Sequence, residues 1–306
     1  IVVGAAMYGP AAGAVLGGLG LLFYIYSIVL SITTLKTEKK AQVRANEILL
    51  NQGLITDEEA AKLQKLFHLY NVQYVNDIIL SVLELIYNIL KIVAKEIVKY
   101  APEATYIIVS NPVDILTYVF HKISGIPESR IIGSGTILDT ARLRSRISEY
   151  YGVNQKNVHA YILGEHGDTA FVPWSIANIS NVPVEDYRNA VMKSDLYPEF
   201  NRDEVEDYVR KSGGRVIQRK GATFYAVSVS VCHLCKCLLN PIDTTLTVST
   251  MLHGEYGIDD VCLSLLNIVG NKQVQGKILL PLNDQEIWAL NKSAESLKNV
   301  IKQIEI

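Results

Sequence analysis

The sequence predicts an α/β chain in two parts: a doubly wound parallel sheet over residues 1–133 and a second, α+β domain over residues 134–306. Three observations predict it. Helical and extended patterns alternate along the first half, as in sheets whose strands are joined by crossover helices. The pattern changes after Gly133, which puts the boundary near Ile132–Gly135. The chain has 306 residues, 49% hydrophobic and 20% charged, enough to bury two cores.

The opening IVVGAAMYG reads as a strand and a tight turn, and Tyr24–Ile32 as a second strand. Lys36–Leu50 is charged and helical. Thr56 with Glu59 forms a capping-box pattern that starts a helix through about Phe67. Asp77–Tyr100 carries apolar residues at helical spacing, and Pro102 ends it. Ala104–Ser110 is a short β-rich run suited to a buried strand. Beyond the boundary, Thr136–Tyr151 reads as an amphipathic helix and Val158–Leu163 as a strand. Arg202–Arg219 reads as a helix weakened by Gly213 and Gly214. Thr223–Leu239 reads as a long buried helix, Thr247–Leu252 as a strand, and Asp284–Gln303 as the final helix.

The net charge of −2 offers no basic excess for nucleic acid or an anionic membrane, so a small molecule or a protein is the expected partner. Cys232, Cys235, Cys237 and Cys262 do not make a disulfide framework in a chain of this size, and a reducing, cytoplasmic setting is expected. The spacing of Cys232, Cys235 and Cys237 does not suit a structural metal site, so no metal is expected. Ile1–Leu35 contains no charged residue and is long enough to span a bilayer. A Gly-rich turn near its start favours burial as strand, helix and strand, which leaves membrane insertion as the minor alternative.

Four motifs carry chemistry. In GEHGD, Gly164–Asp168, a histidine stands between glycines at a predicted strand end. There it can be exposed on a loop, and a reference pKa of ~6.5 suits proton transfer near neutrality. In LDTARLR, Leu138–Arg144, Asp139 and Arg142 share a helix face. A carboxylate there can hold an imidazole, and a guanidinium can grip a substrate carboxylate with paired hydrogen bonds. SNPVD, Ser110–Asp114, follows a strand where such sheets place ligands, and the Asn111 amide can both donate and accept. KGAT, Lys220–Thr223, opens a helix with small polar residues. Gly4, Ala6 and Gly9 fit a G-x-[GA]-x-x-G turn that would set a pyrophosphate on a helix N-terminus.

Together, VSNPVDILTYV, GSGTILDTARLR, NVHAYILGEHGDT and RKGATFYA resemble, in order and spacing, the L-lactate dehydrogenases of the bacterial, fructose 1,6-bisphosphate-regulated type within the lactate/malate dehydrogenase family. The resemblance runs from about Lys95 to the end, and Glu165 and Trp174 are similar to the lactate branch rather than the malate one. It implies a Rossmann-like NAD-binding domain, a catalytic domain, and hydride transfer between NADH and pyruvate to give L-lactate. His166 would donate the proton, Asp139 orient it, and Arg142 bind the substrate carboxylate. Asn111, Asp114 and Thr223 would complete the substrate site. Gly4, Ala6, Tyr8, Gly9, Val109, Asn111 and Ser134 would meet the cofactor. Arg144 and His159 would bind fructose 1,6-bisphosphate across an interface of a cytoplasmic homotetramer.

The first third departs from that pattern. No acid stands near Ile32–Thr34 to hold the ribose hydroxyls; the nearest is Glu38. No glycine lies between Gly53 and Gly125, and no Lys or Arg between Asn71 and Leu90, where the family carries a mobile-loop arginine. The alternative expectations are therefore a catalytically impaired homologue with an effector-binding or oligomeric role, a membrane-anchored relative, or a malate or other 2-hydroxy-acid dehydrogenase.

Overall fold

A computed structural model of the chain describes residues 10–191 and 196–304, with side chains from residue 20 onward. The described chain divides into two compact units, residues 1–88 and 89–306.

The first unit is built from helices. Helix α1 spans Pro10–Asn51, and α2 begins at Asp57 and runs to Tyr100 in the second unit. The segment expected as a second strand, Tyr24–Ile32, is helical throughout. Its β-branched and aromatic residues favour strands only weakly, and no proline breaks the helix between residues 20 and 51. Ser27, Ser31, Thr33 and Thr37 send their hydroxyls back to carbonyls three or four residues earlier, so their polar groups are satisfied along the helix. The expected burial also fails for the described residues: Leu22 is 64% exposed and Phe23 72%. Among the described residues, the part of α1 from Gly20 to Asn51 is long and apolar enough to cross a bilayer by length and composition.

The predicted capping box is present: the Glu59 carboxylate accepts from the Thr56 N–H at 2.9 Å, and Thr56 Oγ1 accepts from the Glu59 N–H at 3.3 Å. The helix it starts continues past Phe67 to Tyr100, merging two predicted elements. The two helices run antiparallel: Tyr24 Oη donates to the Ser81 carbonyl at 2.8 Å, and Asn71 donates to Gln42 at 2.8 Å.

The second unit holds the mixed α/β fold. Strand β1 (Tyr106–Ile108) pairs in parallel with β2 (Ile131–Gly133). Between them lies α3 (Val113–Ser124), buried from Val113 through Phe120 and closed by Gly125 in the left-handed conformation. Strands β6 (Thr244–Glu255), β7 (Ile258–Gly270) and β8 (Gln273–Ile278) extend the sheet antiparallel in the order β1-β2-β6-β7-β8. The runs Leu246–Leu252 and Val261–Asn267 are buried without alternation, so helices cover both faces of the central strands.

A small antiparallel sheet joins β3 (Val158–His159), β4 (Asn178–Ile179) and β5 (Val182–Pro183). The strand predicted to Leu163 stops at His159; Leu163 pairs only with Phe171, in an isolated bridge. Helix α4 (Ile137–Tyr151) packs Leu143, Ile147 and Tyr151 against Val205 and Val209 of α6 (Arg202–Lys220), beyond the one-turn α5 (Tyr187–Ala190). Helix α7 (Tyr225–Leu239) was expected to be buried, yet only Leu234, Cys237 and Leu238 are, while Val229 is 70% exposed. A capping box between Asn283 and Glu286 starts α8 (Asp284–Ile301). All four cysteines are free thiols, and the described residues contain no cluster suited to a metal ion.

Candidate active site

The site lies wholly within the second unit, where the N-terminus of α4, the 164–169 loop and α6 meet. Gly135 makes the approach possible. Its φ of +51° is a left-handed conformation, and a Cβ there would stand 2.7 Å from the Ser249 backbone nitrogen. The chain can therefore turn tightly over the sheet and enter α4 at Thr136, whose hydroxyl donates to the Ile162 carbonyl at 2.6 Å. One turn into α4, Asp139 and Arg142 project from the same face, as their spacing of three requires.

His166 arrives from the opposite side. Gly164, at φ +94°, bridges antiparallel to Ser264 of β7 and turns the chain out of the sheet. His166 Nδ1 then lies 2.6 Å from Asp139 Oδ2, while Asp139 Oδ1 accepts from Arg142 Nη1 at 3.2 Å. Both side chains of that second pair are largely buried, at 18% and 14% exposure, so the ion pair is poorly screened. The hydrogen bond to Asp139 raises the His166 pKa, and the Asp139 and Asp114 charges add to it. Desolvation and Arg142 oppose the rise. With Nδ1 committed to Asp139, Nε2 is the nitrogen left for a substrate.

These groups line a cavity of about 310 Å³ together with Val109, Asn111, Ser134 and Thr223. Seven of the residues singled out in the sequence thus meet in one place. Asp114 does not. Expected to bind substrate, it is 3% exposed and accepts the His166 N–H on Oδ2 at 2.7 Å, because the first turn of α3 faces the core rather than the cavity. Burial pushes its carboxyl up to about 6. Gly4, Ala6, Tyr8 and Gly9 lie outside the described residues. Arg144 and His159 are not among the cavity residues. Arg144 Nε donates to the Ala160 carbonyl at 2.9 Å with its guanidinium over Tyr161, and the neighbouring His159 is exposed.

The motifs did not reveal the far wall of the cavity, which Val209, Arg210, Gly213, Gly214 and Ile217 of α6 supply. The glycine pair interrupting a helical pattern was the one available signal. Nor did they reveal Ser293 of α8, which accepts the Glu165 N–H at 2.8 Å.

The residues fit the nicotinamide end of a dinucleotide. The cavity brings a hydrogen-bonded histidine–aspartate pair beside a guanidinium, and Val109, Asn111 and Ser134 stand at the carboxyl ends of β1 and β2, where such sheets place ligands. For the adenine half the described residues before β1 offer two helices in place of a strand-turn-helix cradle.

A mixed sheet whose parallel strands end beside a histidine–aspartate pair and an arginine in one cavity is the arrangement of a dehydrogenase-type α/β protein. Sequence comparison makes this specific. The family described as lactate/malate dehydrogenase matches twice: its α/β C-terminal domain over residues 136–306, and its NAD-binding domain over residues 80–133. The chain belongs to the lactate/malate dehydrogenase family. It is 43% identical over 219 residues to an L-lactate dehydrogenase of Acetivibrio thermocellus, covering 72% of this chain and 68% of that protein. An L-lactate dehydrogenase 1 of Clostridium acetobutylicum is 44% identical, with 71% and 69% covered. Among solved structures, an L-lactate dehydrogenase from Clostridium thermocellum superposes with TM-score 0.66 at 38% identity, covering 72% of each chain. The minor L-lactate dehydrogenase of Enterococcus mundtii, in a ligand-bound form, gives 0.67 at 34%, covering 72% of this chain and 69% of that one.

Proposed function

We propose that the protein is an NAD-dependent L-lactate dehydrogenase that interconverts pyruvate and L-lactate. The observation that carries this is the convergence of His166, Asp139 and Arg142 on one cavity, with His166 Nδ1 2.6 Å from Asp139. Bound NADH supplies the hydride. Arg142 holds the substrate carboxylate, and the shared carboxylate of Asp139 keeps the guanidinium in place. The Asn111 amide donates to the ketone oxygen. His166 delivers its proton from Nε2 to that oxygen, and Asp139 stabilises the imidazolium before the proton leaves and fixes the tautomer afterwards. Thr223 bounds the pocket. Val109 and Ser134 face the cofactor.

On this reading residues 1–133 are the dinucleotide-binding part and residues 134–306 the catalytic part, the division at which the two family matches meet. Arg144 and His159 bind fructose 1,6-bisphosphate in a cytoplasmic homotetramer. The support is the exposed imidazole of His159 together with the Arg144 guanidinium, whose Nε donates to the carbonyl of the next residue, Ala160, at 2.9 Å. Initial rates of NADH oxidation with pyruvate and with oxaloacetate test the reading: pyruvate is the faster substrate.

A second reading is a catalytically impaired homologue. What favours it is the pair of long helices over residues 10–100, where the NAD-binding match begins only at residue 80. Absence of turnover together with retained binding of fructose 1,6-bisphosphate supports it.

A further inference from the structure

The loop that presents His166 is fastened from below by two buried side chains on different elements. Gly164 is already paired to β7, its N–H reaching the Ser264 carbonyl at 3.0 Å. The next two N–H groups find side-chain rather than backbone acceptors. Ser293 Oγ of α8 accepts the Glu165 N–H at 2.8 Å, and Asp114 Oδ2 of α3 accepts the His166 N–H at 2.7 Å. Ser293 Oγ also receives the Thr169 hydroxyl at 2.9 Å, so one oxygen gathers both ends of the loop. Ser293 is fully buried, and a Cβ on Gly164 would come within 2.8 Å of its oxygen; the fit admits little else at either position.

We infer that Ser293, more than 120 residues further along the chain, is a positioning residue for His166, and that α8 sets the place of the imidazole opposite Asp139 and the cavity. The inference rests on the dehydrogenase reading for its effect on turnover, but the positioning itself does not. A hydrogen bond held at 2.6 Å is sensitive to displacement, and a part-buried backbone N–H that loses its acceptor shifts to find another. Removing the serine oxygen frees Glu165 to shift, and the adjacent imidazole shifts with it. The charged groups that act on His166 are Asp139 and Arg142 from α4 and Asp114 from α3. None of them changes in a Ser293 variant, so any change in the histidine reports geometry.

The test uses the full chain with Ser293→Ala, and Ser293→Cys as a second variant that keeps a weaker acceptor of similar size. The His166 titration is followed by NMR of the imidazole, alongside steady-state kinetics. The expected result is an imidazole that titrates closer to the ordinary histidine value, a kcat lower by about tenfold, and little change in KM for NADH. The cysteine variant falls between the alanine variant and the native protein. A chain that lacks turnover but shows the shifted titration removes the dehydrogenase reading and keeps the positioning role. An unchanged His166 titration in whichever variant folds overturns the inference.

Discussion

Asp139 divides one carboxylate between two partners: Oδ2 meets His166 Nδ1 at 2.6 Å, while Oδ1 meets Arg142 Nη1 at 3.2 Å. A single side chain therefore fixes both the imidazole and the guanidinium, on the proposed reading the proton donor and the substrate grip. Asp139→Asn preserves the shape and removes the charge. We expect kcat to fall by about 10²-fold or more. The native His166 pKa is raised, chiefly by the hydrogen bond to Asp139. The stability this pair contributes is therefore present below the unfolded histidine value and is lost as pH rises through the raised folded one. The variant should lose more stability near pH 5 than near pH 9 in thermal unfolding; equal losses at both would contradict the assignment.

Asp114 makes an opposite pH prediction. Its carboxyl is raised by burial to about 6, so ionisation opposes folding. The opposition is absent below the unfolded value near ~3.9 and complete above about 6. Asp114→Asn keeps an oxygen for the His166 N–H and cannot ionise. Its unfolding free energy relative to the native protein should rise between pH 4 and pH 7, by at most on the order of 3 kcal/mol. A flat difference across that interval would show that the carboxyl does not change charge there.

Arg142→Lys tests the substrate grip. Lysine keeps the charge and loses the paired geometry. KM for pyruvate should rise by about 10²-fold with NADH affinity unaltered. A variant changed in kcat alone would place Arg142 elsewhere in the reaction.

The sequence made the site more legible than the scaffold that carries it. GEHGD, LDTARLR and SNPVD contain their chemistry within a few residues, and local spacing is enough to put Asp139 and Arg142 on one face. Ser293 and the Asp114 contact were illegible because each depends on a partner 52 or more residues away. Residues 24–32 were misread as a strand because an apolar run without periodicity fits a buried strand and a long helix equally. The capping box at Thr56 and Glu59 was legible, since both halves of its reciprocal bond lie within one turn. Where the helix would end was not, because the continuation from Phe67 to Asp77 carries no breaker.

Glu286 offers a prediction about stability. It is nearly buried, receives the Ser175 N–H at 3.0 Å and hydroxyl at 2.6 Å, and closes the capping box through the Asn283 N–H at 3.0 Å. Glu286→Ala strands three donors at once. It should cost roughly 2–4 kcal/mol of unfolding free energy, read from denaturant melts. A loss below about 0.5 kcal/mol, as for an ordinary surface change, would mean that water replaces the carboxylate.

On the proposed reading, His166 passes a proton to a keto acid beside NADH. The most direct test is the initial rate of pyruvate-dependent NADH oxidation by the native chain and by His166→Asn, measured side by side with NADH binding followed by fluorescence. Turnover is expected in the native chain, with a loss of about 10³-fold or more in the variant and NADH still bound. Equal rates in the two proteins, or no turnover in the native chain, would contradict that reading.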